Sequence, residues 1–270
     1  MDDLKDELHD ELHNETPESR RRLGIYLLPN LFTTGTLFSG FFATLSAIEG
    51  LYINAVIAIF LGMLCDALDG RVARLTNTQS EFGKEYDSLA DMVCFGFAPA
   101  LVMYLWSLHD LADYGRFGKQ LAWTAAFFYA AMAALRLARF NVLASRNLAK
   151  DYFFGLPSPA AAALTMGYVW AVQDFGYGGE QLVFLSLIVT VLAGALMVSS
   201  QIRYPSFKDM KLRQRVPFRY VLAMVLVILL IQFDAPRVLF ALFLVYIIYG
   251  PVAAIRERRK AKASGSLGKS

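Results

Sequence analysis

The sequence predicts an all-α fold, a polytopic membrane helix bundle with about eight transmembrane helices. Three observations carry this. Hydrophobic residues fill 56% of the 270 positions and the mean hydropathy is +0.43, where soluble domains are nearer half apolar. The apolar residues gather into runs close to the ~20 residues that a bilayer helix needs. The basic residues fall almost entirely into alternate connections between those runs. The formal net charge of +3 says little until the charges are mapped.

In chain order, residues 1–19 form an acidic tail with eight Asp or Glu. "LKDELHDEL" spaces Leu4, Leu8 and Leu12 one helical turn apart, but the segment holds too few large apolar groups to fold alone, and a solvated tail is expected. His9 and His13 share that spacing and are read as solvated too. No cleavable signal peptide is expected, because the N-terminus is acidic and the first apolar run follows Arg20, Arg21 and Arg22. "RRRLGIY" is suited to an interfacial collar on anionic lipid. A membrane domain is expected over 20–254, with spans at 26–49, 51–75, 84–107, 120–144, 159–174, 181–201, 217–233 and 236–254. The fifth is the shortest. Gly96, Pro99 and Gly167 inside the spans are tolerated in membrane helices. Residues 255–270 form a basic tail. The two cysteines, Cys65 and Cys94, imply no disulfide framework. They read as small buried hydrophobes rather than metal ligands, since hard cations choose oxygen.

Of the 26 Lys and Arg residues, 23 lie in the two terminal segments or in the connections and span ends around 71–84, 136–150 and 203–219. The other side holds Arg116, Lys119 and Arg237. The positive-inside rule then places both termini and the 66–91 segment in or facing the cytoplasm. These charges are accounted for by topology, and no nucleic-acid partner is expected.

The segment "DALDGRVARLTNTQSEFGKEYDSLAD" sets four carboxylates, Asp66, Asp69, Asp87 and Asp91, between two apolar runs. Asp66 follows about 15 apolar residues, or about 22 Å of helix, and Asp91 precedes a similar run. The two helices are antiparallel, so both pairs reach a similar depth inside the cytoplasmic edge of the bilayer. Asp66 and Asp69 are i, i+3 and Asp87 and Asp91 are i, i+4, so each pair shares a helix face. Gly70, Ala73 and Gly83 allow close approach of a helix or ligand. Four carboxylates in low dielectric call for counter-charge, and all-oxygen ligands favour Mg²⁺, Mn²⁺ or Ca²⁺. Four ligands on two helices suit two ions, and such sites clamp phosphate or pyrophosphate. Ionisable residues at membrane depth are functional by default.

The run Asp66-x-x-Asp69-Gly70-x-x-Ala73-Arg74, eight residues, Gly83-x-x-x-Asp87-x-x-x-Asp91 resembles the signature of the CDP-alcohol phosphotransferase family, with no departure. The resemblance implies a metal-dependent membrane enzyme working at the cytoplasmic face. Such an enzyme cleaves the pyrophosphate of a CDP-linked donor, releases CMP and transfers the phosphoryl group to an alcohol. It implies that Asp66, Asp69, Asp87 and Asp91 hold two divalent cations, Mg²⁺ or Mn²⁺ (Ca²⁺ as a non-activating occupant), with Asp91 also the catalytic base. "LLPNLFTTGTLFSG", "RLARFNV", "FFGLPSPAAA" and "IRYPSFK" resemble the phosphatidylserine synthases of that family. Thr36 departs, standing where these carry asparagine. The implied substrates are CDP-diacylglycerol and L-serine. The implied setting is a bacterial inner membrane, with a homodimer among membrane lipids.

The individual residues are read beside that resemblance. Asn30 and Thr33, with Gly70, Ala73, Arg74 and Gly83, are candidates for donor binding; helix capping for the first two, and a salt bridge to an aspartate for Arg74, are the structural alternatives. Serine is a zwitterion, so its carboxylate needs a cation. Arg136, Arg139, Asn141 and Ser158 are the acceptor candidates; headgroup snorkelling for the arginines and helix capping for Ser158 are the alternatives. Arg203 is a weaker candidate, and His109 lies on the far side with no catalytic role. Glycerol phosphate or inositol phosphate as acceptor, or a divalent-cation transporter built on the same aspartates, are the competing functions. The orientation is testable: a reporter fused after Ser270 should read as cytoplasmic, and an external reading would reverse the assigned side of the aspartate segment.

Overall fold

The computed structural model describes residues 17–76, 78, 80–145, 152–199, 203–205 and 218–266. It contains nine α-helices among these: α1 (Pro17–Ile48), α2 (Tyr52–Thr76), α3 (Glu81–Asp91), α4 (Ala98–Trp106), α5 (Gly115–Ser145), α6 (Ser158–Asp174), α7 (Val183–Val198), α8 (Phe218–Phe233) and α9 (Ala235–Ser266). A π-helical stretch, Met92–Phe97, joins α3 and α4 into one rod. Most of the acidic tail and the side chain of Arg203 lie outside the described residues. Helix α9 continues through most of the segment expected as a basic tail.

Six helical segments are long and apolar enough to cross a bilayer, so the chain is an integral membrane protein. The two remaining expected spans are α6, with 17 residues, and α8, with 16. The shortness of α6 has a packing reason. Every residue from Ala160 to Val169 is buried, so α6 is enclosed by other helices on all faces rather than facing lipid. One element departs from the all-helical pattern among the described residues. β1 (Tyr152–Phe154) and β2 (Arg203–Pro205) form an antiparallel ribbon with Phe153 opposite Tyr204. Just beyond β1, Gly155 takes φ +85°, which glycine adopts without strain, and Leu156 N–H donates to Leu196 C=O at 2.9 Å.

Lipid is as apolar as the side chains, so helices in a membrane associate through close packing of small residues rather than through the hydrophobic effect. The α1–α2 seam shows this, with Ala43, Ala47, Ala55 and Ala58 buried along it while Phe38, Phe41 and Leu61 face outward. Both helices close on the π-helical stretch. A Cβ added at Gly40 would lie 2.7 Å from Cys94 Cα, and one at Gly62 would lie 2.4 Å from Cys94 Sγ. Cys94 is fully buried and unpaired, the small core residue the sequence suggests.

The π-helical stretch also has a cause in the sequence. Ala98 N–H donates to Val93 C=O, an i+5 bond, and Pro99 follows with no N–H to give. The carbonyl of Phe95, whose α-helical donor would be residue 99, accepts the hydroxyl of Tyr129 from α5 at 3.2 Å. Tyr129 is fully buried. That bond ties α5 to the rod one turn beyond Asp91. Tyr129→Phe should therefore lower unfolding stability in detergent by about 1–3 kcal/mol, the cost of a buried unsatisfied acceptor; an unchanged thermal midpoint would show that the carbonyl finds another donor.

Candidate metal centre

Helix α2 carries Asp66 and Asp69 on one face, and α3 carries Asp87 and Asp91. The start of α3 is set locally. Ser80 is its N-cap, with extended backbone and an Oγ that accepts from Gly83 N–H at 2.9 Å. Glu81 in the first turn suits the positive end of the helix dipole. The two helices bring Asp66, Asp69 and Asp87 together, with one carboxylate oxygen of each within 4.8 Å of the others. Thr33 of α1 donates to Asp69 Oδ2 at 2.8 Å, so three helices define the cluster.

The surroundings fit a hard cation. Asp69 is buried, and Asp87 Oδ1 and Asp91 Oδ1 are buried oxygens with no hydrogen-bond partner among the described residues. A buried polar atom without a partner is costly, and a divalent ion bound by carboxylate oxygens satisfies it. Asp91 differs from the other three. Expected as a fourth ligand, it stands outside the close trio, one turn further along α3. There it lies within electrostatic reach of Asp66, Asp87 and Arg136. Cys65 is not part of the cluster; its Sγ packs towards Gly35.

A cleft of about 210 Å³ opens beside the trio. All six residues singled out for the donor line it: Asn30, Thr33, Gly70, Ala73, Arg74 and Gly83. A Cβ built on Gly70 would meet nothing within 4 Å, so that wall is open to an occupant. Thr36, where the sequence departs from expectation, is absent from the cleft. Its Oγ1 lies 3.3 Å from the carbonyls of Phe32 and Gly62, bridging α1 and α2. The sequence reading missed Pro29, Thr78, Ser80 and Lys84, which complete the lining. Of these, Ser80 carries a usable signal, a capping residue three before Gly83.

The four acceptor candidates divide. Arg136 Nη1 donates to Ser158 Oγ, and Arg136 is within electrostatic reach of Asp91 and Asp66. Ser158 is fully buried. It makes no capping bond, because Pro157 is the N-cap of α6, so its side chain is committed across the helix gap. Asn141 instead donates to Ser88 Oγ at 2.9 Å, on α3 between Asp87 and Asp91. Arg139 is half-buried one turn from Arg136. The structure thus joins Arg136 to Ser158, with Arg136 in electrostatic reach of Asp91, while Asn141 braces α5 against α3. His109, near the opposite end of the α3–α4 rod, lies 3.2 Å from Asp110.

A family model described as CDP-alcohol phosphatidyltransferase matches residues 26–249. A Helicobacter pylori protein named CDP-diacylglycerol–serine O-phosphatidyltransferase is 40% identical over 230 residues, covering 84% of this chain and 90% of that protein. A Methanocaldococcus jannaschii protein of the same name is 34% identical over 221 residues, covering 81% and 94%. One from Saccharomyces cerevisiae is 34% identical over 193 residues, covering 62% and 66%.

The geometry itself makes a binding prediction. Titration of the purified protein with Mn²⁺, read by the paramagnetic resonance of free ion, should show saturable binding that Asp66→Asn abolishes. Thr33→Val should weaken it about tenfold, the scale for losing a residue that orients a ligand. Equal binding by wild type and Asp66→Asn would mean that the trio is no metal centre.

Proposed function

The chain belongs to the CDP-alcohol phosphatidyltransferase family, and from that premise we propose that it transfers the phosphatidyl group of CDP-diacylglycerol to the hydroxyl of L-serine, forming phosphatidylserine and CMP. The observation that carries this reading is one juxtaposition. Asp69 and Asp87 of the carboxylate trio line the cleft, and Arg136, bonded to Ser158, is within electrostatic reach of Asp66 and Asp91.

In this reading Asp66, Asp69 and Asp87 hold divalent cations, Mg²⁺ or Mn²⁺, with Asp91 as the further ligand. When bound, such ions neutralise a pyrophosphate and stabilise the charge that develops on its leaving group. The CDP moiety occupies the cleft, where Asn30 and Thr33 offer hydrogen-bonding groups to the nucleoside. Arg74 and Lys84 supply positive charge to the phosphates. Gly70, Ala73 and Gly83 leave room for them. Arg136 binds the carboxylate of serine, and Ser158 holds the guanidinium in place. The serine hydroxyl then attacks the phosphatidyl phosphorus. Its proton passes to Asp91, the phosphorus–oxygen bond to CMP breaks, and CMP leaves with the electron pair. A serine hydroxyl is a weak nucleophile and needs such a base. Asp91 suits the role because its Oδ1 is buried and accepts no hydrogen bond from the described residues.

The basic connections support a cytoplasmic position for both termini and the cleft, where soluble serine reaches a lipid-borne donor. A bacterial inner membrane is the setting this reading assigns, in keeping with the Helicobacter pylori relative. A cation transporter is not favoured. Away from the trio, Val56, Ile59, Cys94 and Phe95 are fully buried, and they form an apolar plug rather than a polar path.

The test is CMP release by purified protein with CDP-diacylglycerol, Mg²⁺ or Mn²⁺, and a panel of serine, glycerol phosphate and inositol phosphate. Serine should be the preferred acceptor, and excess chelator should abolish turnover. Preference for another alcohol would overturn the acceptor assignment, and full activity in chelator the metal assignment. Asp91→Asn should lower turnover roughly 10²-fold or more, the scale of losing a general base, with a far smaller effect on donor affinity. Asp69→Asn should weaken donor and metal binding together. Normal turnover by Asp91→Asn would reduce Asp91 to a ligand.

A further inference from the structure

Helix α9 has no role in the reading above, yet three observations fix it against α6 and bring one of its side chains to the acceptor corner. At the end remote from the carboxylates, Arg237 Nη2 meets Asp174 Oδ2 at 2.9 Å. Midway, a Cβ added at Gly167 would lie 3.3 Å from Phe240 Cα, so the two backbones are in close contact there. Seven residues after Phe240, and so on the same helix face, Ile247 is buried. The helices run antiparallel. Moving from Phe240 to Tyr246, about 9 Å along α9, therefore moves back along α6 from Gly167 towards Ser158. Tyr246 accordingly packs on the cluster that contains Leu156 and Ala160, with Met92, the neighbour of Asp91, on the same cluster. Its phenol is within electrostatic reach of Arg136.

The chemistry of a guanidinium gives this placement a purpose. Arginine grips a carboxylate best through two parallel N–H bonds from one edge of its planar fork. Of its five N–H donors, one at Nη1 is given to Ser158. That bond alone would leave the plane free to turn about it. A second group on another helix is needed to set the edge that faces the substrate. We infer that Tyr246 is a positioning residue for the acceptor: its hydroxyl, delivered by α9, orients the Arg136 guanidinium that receives the serine carboxylate. This rests on the serine reading above. It extends the acceptor corner from α5 and α6 to the last helix of the bundle.

The test separates the hydroxyl from the packing of the ring. Steady-state kinetics of Tyr246→Phe, with serine and CDP-diacylglycerol varied separately, should show the serine KM raised roughly tenfold, the scale of a hydrogen bond to a charged group. The kcat, the donor KM and the melting temperature should be nearly unchanged. In an Arg136→Lys background, adding Tyr246→Phe should raise the serine KM no further, because the tyrosine acts through the arginine. Ile247→Ala, which loosens the same helix and keeps the hydroxyl, should lower the melting temperature and leave the serine KM close to wild type. An unchanged serine KM in Tyr246→Phe overturns the inference. So does an equal rise in Ile247→Ala, or a full additional rise in the Arg136→Lys background. Wild-type protein that releases no CMP with serine would instead refute the acceptor assignment, a result visible before any variant is made.

Discussion

Three carboxylates held within 4.8 Å of one another repel, and the rest of the bundle is built to keep them there. At an effective dielectric constant of about 20, two charges at that separation repel by about 3.5 kcal/mol. Nothing in α2 or α3 alone would hold Asp66 and Asp69 against Asp87. The restraint comes from packing. The alanine seam locks α1 to α2, Gly40 and Gly62 close on Cys94, and Thr33 reaches from α1 to Asp69. In the proposed reading, cations held by the trio would supply the missing charge, so that packing assembles the site and its ligands neutralise it.

The same constraint fits the position at the edge of the bilayer proposed for the site. A donor that is half nucleotide and half lipid must be met where water and hydrocarbon adjoin. The helix rod above Asp91 is fully apolar and buried through Cys94 and Phe95, while the cleft below the trio is lined by hydroxyls, an amide and two cations. A polar reaction is thus carried out against an apolar floor that keeps water from one side.

The fold class and the cleft were largely legible in the sequence, because both depend on spacing along single helices. Hydropathy marks the spans, and the i, i+3 and i, i+4 aspartates mark faces. Distances between helices are different. They depend on small residues with no periodic signature, which is why the spacing alone did not separate Asp91 from the close trio or show Asn141 turning to Ser88. The π-helical stretch, which no periodicity foretells, lies between Asp91 and the rest of the rod; its one visible sign is Pro99. The enclosure of α6 could not be told from a short lipid-facing span, since alanine and leucine serve equally in both places. Tyr246 is one tyrosine in an apolar run, and only the contact of α9 with α6 distinguishes it from its neighbours.

The ribbon between β1 and β2 gives the protein a property that helices alone would not. Helices adapt to bilayers of different thickness by tilting, and a site spread over several of them would be expected to distort as they do. The connection into Ser158 is tied by strand pairing to the connection that leaves α7, and Leu156 is bonded to Leu196 at the end of α7 itself. Those bonds run from backbone to backbone and are independent of side-chain identity. They act as a cross-brace of the kind that soluble proteins use. The entry to α6 is thereby referenced to a neighbouring helix end rather than to the membrane, and its position is insulated from changes in lipid composition, a useful trait in a protein whose product is itself a membrane lipid.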